Sequence, residues 1–160
     1  MLSGLGWSFP CDAYSLGCIL VEFYTGLALY QTHDNLEHLA MMEAVMGPMP
    51  ERFARAGARS KPEFFKAGAK LDWPKAKASR QSKKDVKATR ALAVRFSFVG
   101  LCSVKLTGVR IQEVIPPTDH INKLFLNLVQ KLLAFDPDQR ITVREALQHP
   151  YFSATIPAEV

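Results

Sequence analysis

The run from Cys11 to Tyr24 constrains this chain more than any other segment. Ala13, Tyr14, Leu16, Cys18, Ile19, Leu20, Val21, Phe23 and Tyr24 surround a helical axis instead of lining one stripe. A helix that is apolar all round needs protein on every side. Ser8 is placed to cap it, Pro10 fits its first turn, and Gly26 suits the left-handed position that closes a helix. The run is shorter than a membrane span and contains Glu22, so it reads as the centre of a soluble fold. Each large apolar side chain left uncovered forgoes roughly 1.5–3 kcal/mol. Three or four such losses rival a domain's whole margin of about 5–15 kcal/mol. Unless further protein covers this helix, the chain is expected to be poorly folded, oligomeric or aggregation-prone.

The remaining periodic segments define a mainly α fold of about four helices. A second helix begins at Asp34, which has capping-box spacing to Glu37, and stops before Gly47-Pro48. Leu36, Leu39, Ala40 and Val45 give it a buried face. Residues 51–58 add a short helical turn. Residues 59–92 lack sustained periodicity and read as an irregular insert, pinned by Phe64, Phe65, Leu71 and Trp73. Partial alternation of Phe96, Phe98, Leu101, Val104, Leu106, Val109 and Ile111 allows a short β-hairpin turning near Gly100. A third helix, His120 to Phe135, carries Ile121, Leu124, Phe125, Leu128 and Leu132 at spacings of three and four. Thr142 and Glu145 form a second capping box, and Pro150 ends the fourth helix after His149.

A formal net charge of +5 is concentrated where Lys75, Lys77, Arg80, Lys83, Lys84, Lys87 and Arg90 face Asp85 alone. Such a stretch attracts acidic partners. With no aromatic side chains interleaved for base stacking, it reads as a solvated, mobile loop, and direct nucleic-acid binding is not expected. Three cysteines make no disulfide framework. Cys11 and Cys18, or His33 and His38, have no matching pair at zinc-ligand spacing, so no metal site is expected. No membrane segment is expected either.

Three segments together resemble the C-lobe of protein kinases. Asp12-Ala13-Tyr14-Ser15-Leu16-Gly17-Cys18 looks like the signature opening the long buried helix of that lobe. Asp136-Pro137-Asp138-Gln139-Arg140-Ile141-Thr142, then Glu145-Ala146-Leu147 and His149-Pro150-Tyr151-Phe152, look like its closing run. Between them Glu37-His38-Leu39-Ala40-Met41-Met42-Glu43 matches the motif that names the LAMMER, or CDC-like, dual-specificity kinases. Ala44 departs from that motif, which has Arg there, so the contacts of that guanidinium are lost. Residues 93–111 do not fit the family pattern and are expected to be an insertion.

The resemblance implies an incomplete protein-kinase-like C-lobe over residues 1–153, with an insert at 59–118 and a C-terminal tail at 154–160. Asp12, Gly17 and Arg140 would be structural. In the family, the residue matching Asp12 holds the catalytic loop, and the one matching Arg140 pairs with the Glu that ends the activation segment. Asp34, Glu37, His38 and Glu43 would form a docking surface for Ser/Arg-rich protein substrates, which are nuclear splicing factors in this family. No catalytic, cofactor-binding or metal residue is assigned. Phosphoryl transfer needs a Gly-rich phosphate cover, a strand Lys, a catalytic Asp and metal ligands. Gly4-Leu5-Gly6 lacks a third glycine, and no HRD or DFG tripeptide occurs. ATP and Mg would belong to the complete domain, and the partner expected first is the N-terminal portion of the kinase. Two other readings remain: a non-catalytic module that binds kinase partners, and a basic helical RNA binder using residues 75–90.

Overall fold

The computed structural model describes residues 7–32, 34–89 and 114–155. The helices are α1 (Pro10–Thr25), α2 (Asn35–Met46), α3 (Glu51–Ser60), α4 (Arg80–Ala88), α5 (His120–Leu132), α6 (Val143–Leu147) and α7 (Pro150–Ser153). A 3₁₀ turn at Pro62–Phe64 leads into β1 (Phe65–Lys66), which pairs antiparallel with β2 (Lys70–Leu71), Phe65 opposite Leu71. The hairpin expected within residues 93–111 lies outside the described residues.

The main packing partner of α1 is α5, more than ninety residues on. Val21 joins Phe125, Leu126, Val129 and Leu133 in one cluster with Val45 and Ile115, and Ala13 packs with Leu128, Leu132 and Ala146 in a second. A third cluster, Leu39, Met49, Ala54 and Phe135, joins α2 and α3 to the end of the α5 region. Phe64, Phe65 and Leu71 pack on it, as their apolar character required. The small hairpin is thereby held to the body.

Several local expectations are corrected. Ser8 does not cap α1 with its side chain: Phe9 is already helical, and the Ser8 carbonyl accepts from the Cys11 N–H at 2.9 Å. Gly26 does close the helix, at φ 73, with its N–H on the Glu22 carbonyl. Residues 51–60 form a full helix, not a single turn. The 59–92 region is not irregular throughout, since it holds the hairpin and α4. The basic stretch is helical over Arg80–Ala88, because Ser79 caps it by accepting from the Ser82 N–H. Helix α5 ends at Leu132, before Phe135, and Phe135 instead turns its ring to Phe53 at 6.3 Å between centroids. Finally, Pro150 begins α7 where it was expected only to end a helix, and the His149 side chain caps α7 by accepting from the Tyr151 N–H. Proline is compatible with a first helical turn because its missing N–H has no partner there.

Candidate functional site

Gly17 sits where α1 and α5 come closest. A Cβ there would lie 2.9 Å from Leu133 Cδ2 and 3.0 Å from Leu132 Cβ. Only a residue without a side chain permits this approach, and that is what places the two helices against each other.

Arg140 fixes the same seam from its end. Its Nη1 donates to the Pro10 carbonyl at 2.6 Å, its Nε and Nη2 to that of Ala134 at 3.0 and 2.7 Å, and its Nη2 also to that of Phe135 at 3.2 Å. The guanidinium also stands 5.0 Å from the centre of the Tyr14 ring. A planar five-donor fork can bind several carbonyls at once where a lysine could not. Burial holds its pKa below the ordinary arginine value. The sequence resemblance implied an ion pair for this residue; among the described residues its partners are backbone carbonyls and an aromatic face. Asp12 lies exposed in the first turn of α1, and its carboxylate makes no hydrogen bond among the described residues.

Next to Arg140 is a polar cluster that the sequence did not announce. The Tyr14 and Tyr30 hydroxyls share a hydrogen bond of 3.0 Å, and the Tyr30 ring lies 4.9 Å from that of His38. Burial pushes both phenols above their ordinary value and the Cys18 thiol up to about 11. All three are therefore neutral at physiological pH, and the tyrosines act as hydrogen-bonding core groups. His38 Nε2 is buried with no hydrogen-bond partner among the described residues, and burial lowers the pKa of its ring. The signal that could have found this cluster was the phenol at Tyr30, the first polar aromatic after α1.

The four residues assigned to docking separate. Asp34 is exposed, and its Oδ1 caps α2 by accepting from the Glu37 N–H at 2.8 Å. Glu37 is fully buried, and its Oε2 accepts from the Ser82 hydroxyl at 2.6 Å. This corrects its assignment to a surface. Its place on the inner side of α2 brings it under α4, so the carboxylate serves the helix packing. Glu43 is half-buried and its Oε1 accepts from the Met49 N–H, stitching the Gly47-Pro48 turn. His38 is half-buried against Tyr30. The structure thus does not bring the four together on one open surface.

A cleft of about 710 Å³ lies between the end of α1, the loop after it, α2 and α4, with Val21, Leu29, Met41, Asp85 and Thr89 among its walls. Four of its polar side chains are already engaged: the Thr25 hydroxyl bonds the Val21 carbonyl, Gln81 donates to Asp85, and the Thr89 hydroxyl bonds the Asp85 carbonyl. No set of unspent donors or acids converges there as reaction chemistry would require. Among the described residues no three His, Cys, Asp or Glu side chains are grouped to hold a metal ion. No described helix is long and apolar enough to cross a membrane.

The sequence profile of the protein kinase domain family matches residues 1–152. Serine/threonine-protein kinase AFC2 of Arabidopsis thaliana is 45% identical over 153 residues, which cover 96% of this chain and 31% of that protein. AFC3 of the same plant is 40% identical, over 97% of this chain and 34% of its own length. Human dual specificity protein kinase CLK2 is 37% identical, over 93% of this chain and 25% of its own length. A crystal structure of a kinase domain superposes with a TM-score of 0.73 at 29% identity, covering 94% of this chain and 38% of that one. The chain therefore spans between a quarter and about a third of these kinases, and 38% of the solved domain. A helical body built on the α1–α5 seam, the Glu37–Glu43 motif and these relatives agree: the chain belongs to the protein kinase family, in its LAMMER or CDC-like branch, as part of the C-lobe.

Proposed function

We propose that this chain is the scaffold portion of a LAMMER-type dual-specificity kinase that phosphorylates Ser/Arg-rich proteins in the nucleus, and that by itself it does not transfer phosphate. The observation that carries this reading is the outer face of α1. Phe9 is 91% exposed and Phe23 82%, while Leu16 and Ile19 are 42% and 43% exposed. These side chains recur at helical spacing on the side away from α5. An apolar face of this size belongs under other protein, and the part of a kinase chain that precedes this region is the partner that fits. The groups that position ATP and neutralise its phosphates would be carried on that part.

The test joins this chain to the preceding portion of a relative's kinase domain. The joined protein is expected to incorporate labelled phosphate into a Ser/Arg-rich peptide, and the chain alone to incorporate none. Incorporation by the purified chain alone, with contaminating enzyme excluded, overturns the proposal. Of the docking residues, Asp34 alone offers an exposed acid to an Arg-rich substrate. Asp34→Ser in the joined kinase keeps the cap and removes the charge. Unchanged affinity for an Arg-rich peptide would remove the docking role.

A further inference from the structure

Helix α4 is polarised. Ser82, Asp85, Val86 and Thr89 face inward, Ser82 onto Glu37, whereas Arg80, Lys83, Lys84 and Lys87 are all exposed. The four cations fall at i, i+3, i+4 and i+7, one stripe on the solvent side. None of them has an acidic partner within 4.0 Å among the described residues. Other cations do: Arg52 pairs with Asp138, Arg55 with Glu51, Lys61 with Glu63 and Lys66 with Asp72. Asp85, the one acid on α4, is turned to Gln81. The helix thus presents unneutralised positive charge on a fixed frame, seated by one buried hydroxyl on one buried carboxylate. A mobile loop would have spread the same charges.

We propose that this face of α4 binds an extended peptide phosphorylated on alternate serines, the product class of the reaction proposed above, on which this inference rests. The geometry favours that occupant. Along α4 the cations stand at three levels, separated by about 5–6 Å of helical rise and spanning about 10 Å. In an extended strand, side chains two residues apart point to the same side and are about 6.6–6.8 Å apart. Phosphoserines at alternate positions would then meet successive cation levels. The intervening arginines would point away from the helix. Each phosphate carries about −1.5 to −2 charges at pH 7 and three acceptor oxygens, so its pairing with Lys or Arg is a charge-assisted hydrogen bond. The unphosphorylated peptide is cationic, and the same face repels it. No aromatic side chain lies on α4, so the stripe offers no platform for stacked bases.

The experiment measures direct binding to the chain of three fluorescent probes of equal length. They are a peptide of alternating phosphoserine and arginine, the same peptide unphosphorylated, and oligouridylate. The phosphopeptide is expected to bind at least about tenfold tighter than either of the others. Reversing the stripe with Arg80→Glu, Lys83→Glu, Lys84→Glu and Lys87→Glu is expected to remove that preference. The conservative set Lys83→Arg, Lys84→Arg and Lys87→Arg is expected to keep it, with far-ultraviolet circular dichroism showing the same helicity in both. Equal binding of the unphosphorylated peptide, oligouridylate binding as tight as the phosphopeptide, or indifference to charge reversal each overturns the proposal. Because synthetic peptides are used, the result is independent of catalysis. A joined kinase that fails to phosphorylate Ser/Arg-rich peptide would sink the substrate reading while leaving the phosphopeptide binding to stand or fall on its own.

Discussion

The seam between α1 and α5 and the seam between α2 and α4 are held by different forces. In the first, a glycine lets two helices approach until Leu132 and Leu133 fill the space a side chain would take, and buried Val21, Val129 and Leu128 complete the packing. In the second, Val86 is the one sizeable apolar side chain that α4 turns inward, and the contact centres on the Ser82–Glu37 hydrogen bond. Apolar burial scales with area and tolerates small changes in direction. A single buried hydrogen bond contributes little net stability, yet taking one donor away from a buried carboxylate is costly. The first seam should therefore govern whether the chain folds, and the second whether one helix stays seated.

The largest expected effect is at Arg140. Arg140→Met keeps much of the volume but removes the fork that donates to the Pro10, Ala134 and Phe135 carbonyls. A loss on the order of 3 kcal/mol is expected, read as a shift in the urea midpoint. A loss under about 1 kcal/mol would show that water replaces the fork freely. Gly17→Ala comes next, at roughly 1–3 kcal/mol from overpacking against Leu132 and Leu133. An unchanged midpoint would mean that the two helices can separate without cost, and the contrast between the seams would fail.

Ser82→Ala tests the other side. It removes a donor from a buried carboxylate, at about 1–3 kcal/mol, but the effect should be local. Hydrogen exchange is expected to accelerate in α4 while the amides of α5 keep their protection. Equal acceleration in both helices would show that α4 is part of the main cooperative unit.

How much of this was legible follows from the kind of force involved. Periodicity announced α5 and the inner face of α2, because burial leaves a repeating pattern in sequence. Capping chemistry announced Asp34 and Thr142, whose side chains bond the backbone three residues on. Glu37 was read as a docking acid because acidic groups suit Arg-rich substrates, and nothing local reveals that Ser82, forty-five positions later, donates to its carboxylate. Helix α4 was hidden for the same reason: a basic run with one sizeable apolar residue has the composition of a loop, and a serine cap with a long-range hydroxyl–carboxylate bond organises it. Arg140 was singled out by resemblance, but its carbonyl partners depend on how the chain turns after α5. Tyr30 carried no periodic signal at all.

A smaller effect is expected in the tyrosine cluster. Tyr30→Phe removes one hydroxyl of a mutually bonded pair at about 0.5–1.5 kcal/mol. The neighbouring His38 adds a pH dependence whose sign is fixed by burial. Its folded pKa is lowered, so the unfolded chain takes up a proton first as pH falls. Its contribution is present above the unfolded value near 6.5 and is lost as pH drops below it. His38→Gln should flatten that part of the stability profile measured between pH 7 and 5. A profile as steep as that of the parent chain would assign the dependence to other groups, such as His149, whose pKa is also lowered by burial and by Lys131.

The smallest effect on folding is expected on the outer face of α1, whose Phe9 and Phe23 no other described residue covers, and it sharpens the comparison most. Phe9→Ala with Phe23→Ala removes apolar surface that is almost wholly in water, at 91% and 82% exposed, so the unfolding free energy should move by no more than about 0.5 kcal/mol. Association should respond instead. The exposed rings of Phe9 and Phe23 each bring 150–250 Å² of surface at full size, enough with Leu16 and Ile19 to form a patch in the range of about 300–600 Å² that marks an interaction site. Sedimentation velocity is expected to show concentration-dependent oligomers for the parent chain and a shift toward monomer for the double variant. The two readouts separate the faces of one helix: the inner face sets the folding free energy through Gly17 and Val21, and the outer face sets what the folded body sticks to. A double variant that lost stability as heavily as Gly17→Ala would mean that the outer face is covered by this chain itself, and the case for a preceding kinase segment lying across it would go with that result.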